Sequence, residues 1–425
     1  MTATAVPTPE LRGEVAAVVD RAAQRKARIL GLIGAATGLA AVLLFSRAVG
    51  DATFVINPRG EDSLPDIVVP AGETALVLGV AGMALGFYGA FRVRPSRATL
   101  VLAGCLVLFL AAMLVWATAG GATSLVGLFS GSVRRASPIA IGAMAGVLCE
   151  RAGVVNIAIE GMLLVGAFAG SIVASWTNNL PAGVVGGIAI GALFGMLHAV
   201  FSIRYEVDQI VSGTVINILA AGLTSYLAAR VLTEYPDLNS PGTFRAFGIP
   251  VLEKIPLIGP ILFNNTPHVY ATFLLVAAIT VALYRTRWGL RVRAVGEHPS
   301  AADTVGIDVN RLRFWSVVLG GMVAGFGGTF FSLDSAGRFE EGMTGGRGFI
   351  ALAALIFGRY HPVGALGAAL VFGFSEEFQQ RLLGLGSPIP SEFLLMAPYV
   401  VTLIVVAGLV GRTRVPAADG KPFRR

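Results

Sequence analysis

The stretch 150-ERAGVVNIAIEGMLLVGAFAG-170 decides what kind of molecule this is. It opens on a turn-prone Arg-Ala-Gly and sets Asn156 and Glu160 at the threshold of a run built otherwise from Gly, Ala, Val, Leu and Met. Apolar runs of this length recur along the chain. They are continuous and about twice as long as the roughly ten-residue alternating strands of a membrane barrel. The 425 residues are 55% hydrophobic and 13% charged, with a mean hydropathy of +0.75, about half the charge of a soluble protein. The chain therefore belongs in a bilayer, and its fold class is all-α: a polytopic transmembrane helical bundle. Its 54 glycines suit that solvent, where small residues let helix backbones approach closely.

Runs of about 17 to 25 residues place spans near 29–45, 74–91, 98–118, 157–176, 182–203, 208–232, 269–285, 313–333, 363–380 and 393–410. Two crossings are less regular. Arg134 and Arg135 interrupt one run, which predicts an interfacial turn or helix and then a short span from Ser137 to Cys149; in the other, only Phe349–Phe357 is continuous. About 12 spans result, roughly nine in a core and three ahead of it. That count puts the basic clusters Arg12–Arg28, Arg92–Arg97, Arg285–Arg313 and Arg412–Arg425 on one side, which the positive-inside rule makes cytoplasmic, with both termini. The domains expected are 1–121, a cytoplasmic tail with three additional spans; 122–412, a dense glycine-rich core; and 413–425, a cytoplasmic tail. The first run starts near Ile29, behind a tail carrying Glu10, Glu14 and Asp20, and reads as an uncleaved span. The proline-rich segment 233–268 falls outside as an irregular loop.

Segment 286–312 lies inside and carries helix punctuation: His298, then Pro299 at a first helical position, and Gly306 as a stop. Its exposed face would run through Ala301, Ala302 and Val305, either as a knob for a groove on another protein or as a solvated connector. Within the spans, Asn156, Glu160, Gln209, Asn217, Thr214 and His198 are polar. A charged group in a helix centre costs roughly 2.5–3.5 kcal/mol, so Glu160 should face protein or water. It either pairs with Arg151 or Arg204 and ties helices together, or lines a substrate pathway beside a broken helix, where Asn156 satisfies freed backbone groups.

The sequence contains no enzyme constellation. His198, His268, His298 and His361 are dispersed, Cys105 and Cys149 read as packing residues, and no zinc-protease helix, nucleophile elbow or phosphate loop is present. The chain is expected to catalyse nothing, to bind no metal and no nucleic acid, and to be unable to drive pumping alone. A secondary transporter that follows an ion gradient stays open, with a proton relay resting almost entirely on Glu160.

Three blocks carry a resemblance: LCERAGVVNIAIEGMLLVGAFAG, RAVGEHPSAADTVGIDVNRLRFWSVVLGGMVAGFGGTFFSL and GRGFIALAALIFGRYHPVGALGAALVFG. In this order they resemble the permease subunits of ABC importers for simple sugars and nucleosides, within the group that includes ribose and branched-chain amino-acid permeases. The likeness covers roughly residues 122–412, making that segment the permease core. It implies a cytoplasmic ATPase, a second related permease and an extracytoplasmic substrate-binding protein as partners, in the plasma membrane. No cofactor is bound by this chain, ATP being used by the partner. It also implies that the short loop helix sits in a cleft of the ATPase, with Arg293, Glu297, His298, Pro299, Ala301, Ala302, Val305 and Gly306 as coupling residues. The first block favours nucleosides over pentoses.

Overall fold

The computed structural model describes residues 9–56, 64–386, 390, 392, 396 and 415–424. The expected span 393–410 lies outside the described residues apart from position 396. The chain forms two compact units: the first holds Met1–Leu125 and takes in the chain again from Gln380, and the second holds Val126–Gln379 and the C-terminal residues.

The first unit contains helix α1 (Pro9–Phe45), strands β1 (Asp51–Val55) and β2 (Ile67–Pro70), helices α2 (Ala71–Phe91) and α3 (Ala98–Ala117), and strand β3 (Ala122–Ser124). β1 pairs antiparallel with β2 and parallel with β3. The three helices meet on glycine. A Cβ on Gly31 would strike the backbone of Ala90, one on Gly38 that of Met83, and one on Gly86 that of Ala35. With no hydrophobic drive between helices in lipid, such contact is what holds them.

The second unit begins with α4 (Leu125–Glu150), α5 (Ile159–Thr177), α6 (Leu180–Ala199) and α7 (Gln209–Leu227). The segment 233–268 carries strands β4 (Phe247–Gly248) and β5 (Asn264–Asn265) flanking α8 (Ile258–Leu262). Then follow α9 (Pro267–Arg285), α10 (Arg287–Glu297), α11 (Pro299–Thr304), α12 (Val309–Thr329), α13 (Arg347–Phe357) and α14 (Pro362–Gly384). Side-chain caps open several of them: Asn179 accepts from Ala182 N–H, Asp208 from Ile210 and Val211, Thr286 from Gly289 and Asp308 from Arg311. α5, α6 and α12 again close on glycine, Gly191 facing Gly321 and Gly325, and Gly166 facing Gly325.

Among the described residues, eight helices are long and apolar enough to cross a membrane: α1, α2, α3, α5, α6, α7, α9 and α12. Two expectations are corrected. The run through Arg134 and Arg135 is a single helix of 26 residues with Pro138 inside it, and no interfacial turn precedes a shorter span. The arginines are tolerated because Asp334 lies 3.6 Å from Arg134 and Glu377 lies 2.8 Å from Arg135. At the other irregular crossing, α13 has 11 residues, about 16 Å at 1.5 Å per residue, half a bilayer. The small residues before it do not lengthen it, since Gly342, Gly345 and Gly346 take positive φ and form turns.

Candidate functional site

α4 ends at Glu150, and the chain turns at Gly153, whose φ is +85°. From there to α5 the backbone is not helical, so its polar groups need partners in a setting without water. Side chains from α6 and α7 supply them. Gln209 Oε1 accepts from Val155 N–H at 2.7 Å. Asn217 Oδ1 accepts from Gly161 N–H at 2.8 Å, while its Nδ2 donates to Ile157 O at 2.9 Å. Asn156 Oδ1 accepts from Ala158 N–H at 3.0 Å. His198 Nε2 is 3.0 Å from Val155 O, and a carbonyl only accepts, so Nε2 carries the proton and Nδ1 accepts from the Ser212 hydroxyl at 3.0 Å. Asn156, Gln209 and Asn217 thus come together on the broken backbone, as one clamp. Thr214 stands apart, exposed and donating to Ile210 O.

Glu160 faces protein, but its partners are neither Arg151 nor Arg204. It accepts from the Thr344 hydroxyl at 2.7 Å, Gly346 N–H at 2.8 Å and Gly348 N–H at 2.6 Å. These donors lead into α13, so the carboxylate takes up the orphan N–H groups and the positive end of a half-helix. Arg151 instead donates to Tyr360 O at 2.8 Å.

A cavity of about 450 Å³ opens beside this junction, walled by the middle of α4, the end of α12, the first residue of α13 and Glu377 of α14. α12 widens there into π-helical geometry over Phe330–Ala336 and stops at Gly337, whose φ is +69°. Single π turns of this kind often mark functional sites. Arg347 pairs with Glu376 at 3.2 Å and stands 5.7 Å over the Phe331 ring. Gly131 permits the approach of Glu377 to α4, since a Cβ there would lie 2.6 Å from Glu377 Oε2. Behind the wall, Asp334 meets His268 Nδ1 at 3.2 Å, and His268 Nε2 reaches Thr329 Oγ1 at 2.9 Å. Sequence reasoning missed this cavity, although adjacent arginines in an apolar run were a visible signal.

At the opposite end of α12, the hairpin α10–α11 exposes His298, Ala301 and Val305, with Val305 74% exposed, and closes on Gly306 at φ +84°. One expectation of exposure changes, that of Ala302. Ala302 is buried at 3% against Val295 and Val309, because the short helix packs on α10 and α12. Arg293 lies 5.0 Å over the Tyr284 ring. Glu297 accepts from Ala417 N–H at 3.3 Å. The C-terminal residues fold over this end: Ala418 N–H donates to Gly296 O at 2.9 Å, Arg313 Nη1 to Lys421 O at 2.8 Å, and Arg424 Nε to Glu206 Oε2 at 2.6 Å. Burial pushes the Asp419 carboxyl up to about 7, against the lowering pull of the facing Glu150, Gly420 N–H and Arg313.

Broken helices, a polar cavity beside them and glycine-packed spans define a membrane permease. Residues 128–407 match the family described as branched-chain amino acid transport system / permease component, and the chain belongs to that family. It is a transporter permease subunit, not an enzyme. It is 40% identical over 305 residues to the guanosine ABC transporter permease protein NupQ of Bacillus subtilis, 68% of this chain and 93% of that one. It is 40% identical over 300 residues to the nucleoside ABC transporter permease protein NupC of Lactococcus lactis, 67% and 92% of the two chains. Over 257 residues it is 31% identical to the glucose ABC transporter permease protein TsgB13 of Haloferax volcanii, 56% and 65%. No solved structure matches.

Proposed function

We propose that the chain is one transmembrane subunit of an ATP-driven nucleoside importer in the plasma membrane. It pairs with a second, related permease and receives substrate from an extracytoplasmic binding protein. Both termini and the α10–α11 hairpin face the cytoplasm, as the basic clusters favour. Support for the substrate class is the 40% identity to NupQ across 93% of that protein's length.

The ATPase grips the exposed side of α11, with His298, Ala301 and Val305 as the knob. Its closure pulls on the hairpin, which is continuous with α12 through Asp308, and rocks α12 against α5 and α6. Coupling requires ATPase contacts that differ between the two states. Purification of the detergent-solubilised protein should bring down an ATPase, and cells should accumulate labelled guanosine or uridine in competition with each other. An ion-gradient carrier would lose flux to an uncoupler and co-purify with no ATPase; uptake of glucose or ribose without nucleosides would move the substrate class to sugars.

A further inference from the structure

We propose that the cavity beside Arg347 is the substrate site, and that it takes an uncharged nucleoside with the base on the Arg347 face and the sugar hydroxyls on the Arg135–Glu377 pair. The assignment rests on the nucleoside-importer reading above and gives it a location.

The cavity volume of about 450 Å³ lies within the range of small-molecule sites. Its polar groups are balanced. Arg134, Arg135 and Arg347 stand with Asp334, Glu377 and Glu376 as partners, Asp334 also meeting His268, and Glu340 on the cavity wall pairs with Arg338. A site built this way holds no surplus positive charge for a phosphate. It instead offers donors and acceptors side by side, because an ion pair uses only part of a guanidinium's five N–H groups and of a carboxylate's lone pairs. Vicinal hydroxyls, each donor and acceptor at once, suit such a wall. The arginine side chains are open to the cavity, 46% exposed at Arg134, 34% at Arg135 and 27% at Arg347.

The base is read by a different feature. The Arg347 guanidinium is fixed between Glu376 and the Phe331 ring, and a guanidinium plane is a stacking surface for nucleobases. A simple sugar would use the hydroxyl wall and leave that face uncovered. Position along the bilayer agrees as well. Arg134 lies about 14 Å along α4 from Leu125, and Arg347 is where the half-helix α13 begins, so the cavity sits where discontinuous helices of transporters hold substrate.

The experiment uses cells that depend on this chain for uptake of labelled guanosine. Ser335→Cys places a reporter on the cavity wall, where Ser335 is exposed, and the native Cys105 and Cys149 are buried. Saturating guanosine or uridine should slow maleimide labelling at this position about threefold or more, and guanosine monophosphate should not, by the occupancy expected of a bound ligand. Ala336→Cys serves as the second reporter should the first variant fail to insert. Arg347→Lys keeps the charge beside Glu376 and loses the plane; guanosine uptake should fall about tenfold, as such exchanges at stacked sites are not conservative. If guanosine is imported but neither reporter is protected, or if labelling is blocked with and without nucleoside, the cavity assignment is wrong while the importer reading stands. If glucose is imported and protects while nucleosides do neither, both readings fall.

Discussion

Glu160 sits at the start of α5 and serves another helix, closing three donors from Thr344, Gly346 and Gly348 that no water would reach in a bilayer. Glu160→Ala should therefore lower stability by about 3 kcal/mol, the scale for hydrogen bonds to a charged group and the donors they orphan. Glu160→Gln, with one carbonyl for three donors, should fall between. Thermal unfolding in detergent reads both, and an Ala variant melting with the parent would show that the clamp carries no weight. That Glu160 and Asn156 matter was legible, because an acid and an amide stand out in an apolar run. Their partners were not, since backbone N–H groups are present at every residue and Gly348 lies 188 positions away. Arg134 and Arg135 misled for the same reason: read locally they interrupt a span, and only the fold brings Glu377 from 242 residues away to neutralise one of them.

Helices were more legible than their faces. Pro299 and Gly306 marked the ends of α11, but six residues are too few for a 3.6-residue period to show which side packs. Ala301 and Ala302 therefore looked equivalent, and the structure separates them. Ala301→Arg should lower uptake and ATPase stimulation about tenfold, comparable to the loss of one good interface contact, while insertion and melting stay as in the parent. Ala302→Arg should instead impair folding, because the side chain enters the packing of Val295, Val309 and Phe423. Equal effects on folding would remove the distinction. The glycine-rich composition likewise announced close packing without saying where. Gly191→Leu tests the answer, since any Cβ there meets the Gly321 carbonyl. The variant should lose folded protein on size-exclusion chromatography, whereas Gly222→Leu, with open space around it, should not.

At the scale of the second unit, the C-terminal residues tie separate parts together, bonding to the hairpin at Gly296 and Glu297 and to Arg313 of α12, which also reaches Ala152 in the α4–α5 turn. Read alone, residues 413–425 are a short polar tail, and nothing in their composition shows that Arg313 reaches Ala152, Ala418 and Lys421 at once. The docking carries a titration. Asp419 faces Glu150, with Arg313 beside it, and its carboxyl is raised to about 7 mainly by burial. An acid whose value rises on docking binds more protons docked than free. The stabilisation is thus complete below the ordinary carboxylate range and is lost as pH rises through about 7. Docking should consequently loosen from about pH 4 to about pH 7, with the strap closed in acid and freer at neutrality. A spin label at Pro422→Cys, an exposed position, should gain a mobile component across that window, and Asp419→Asn should change the midpoint and weaken the response, since it removes one of the two facing carboxyls. A label whose mobility ignored pH in the parent would mean that the carboxyl pair does not govern the strap. The same strap holds Glu297 and Gly296, so its release would free the hairpin that the ATPase is proposed to grip, and ATP-driven uptake should change over the same window in which the label loosens.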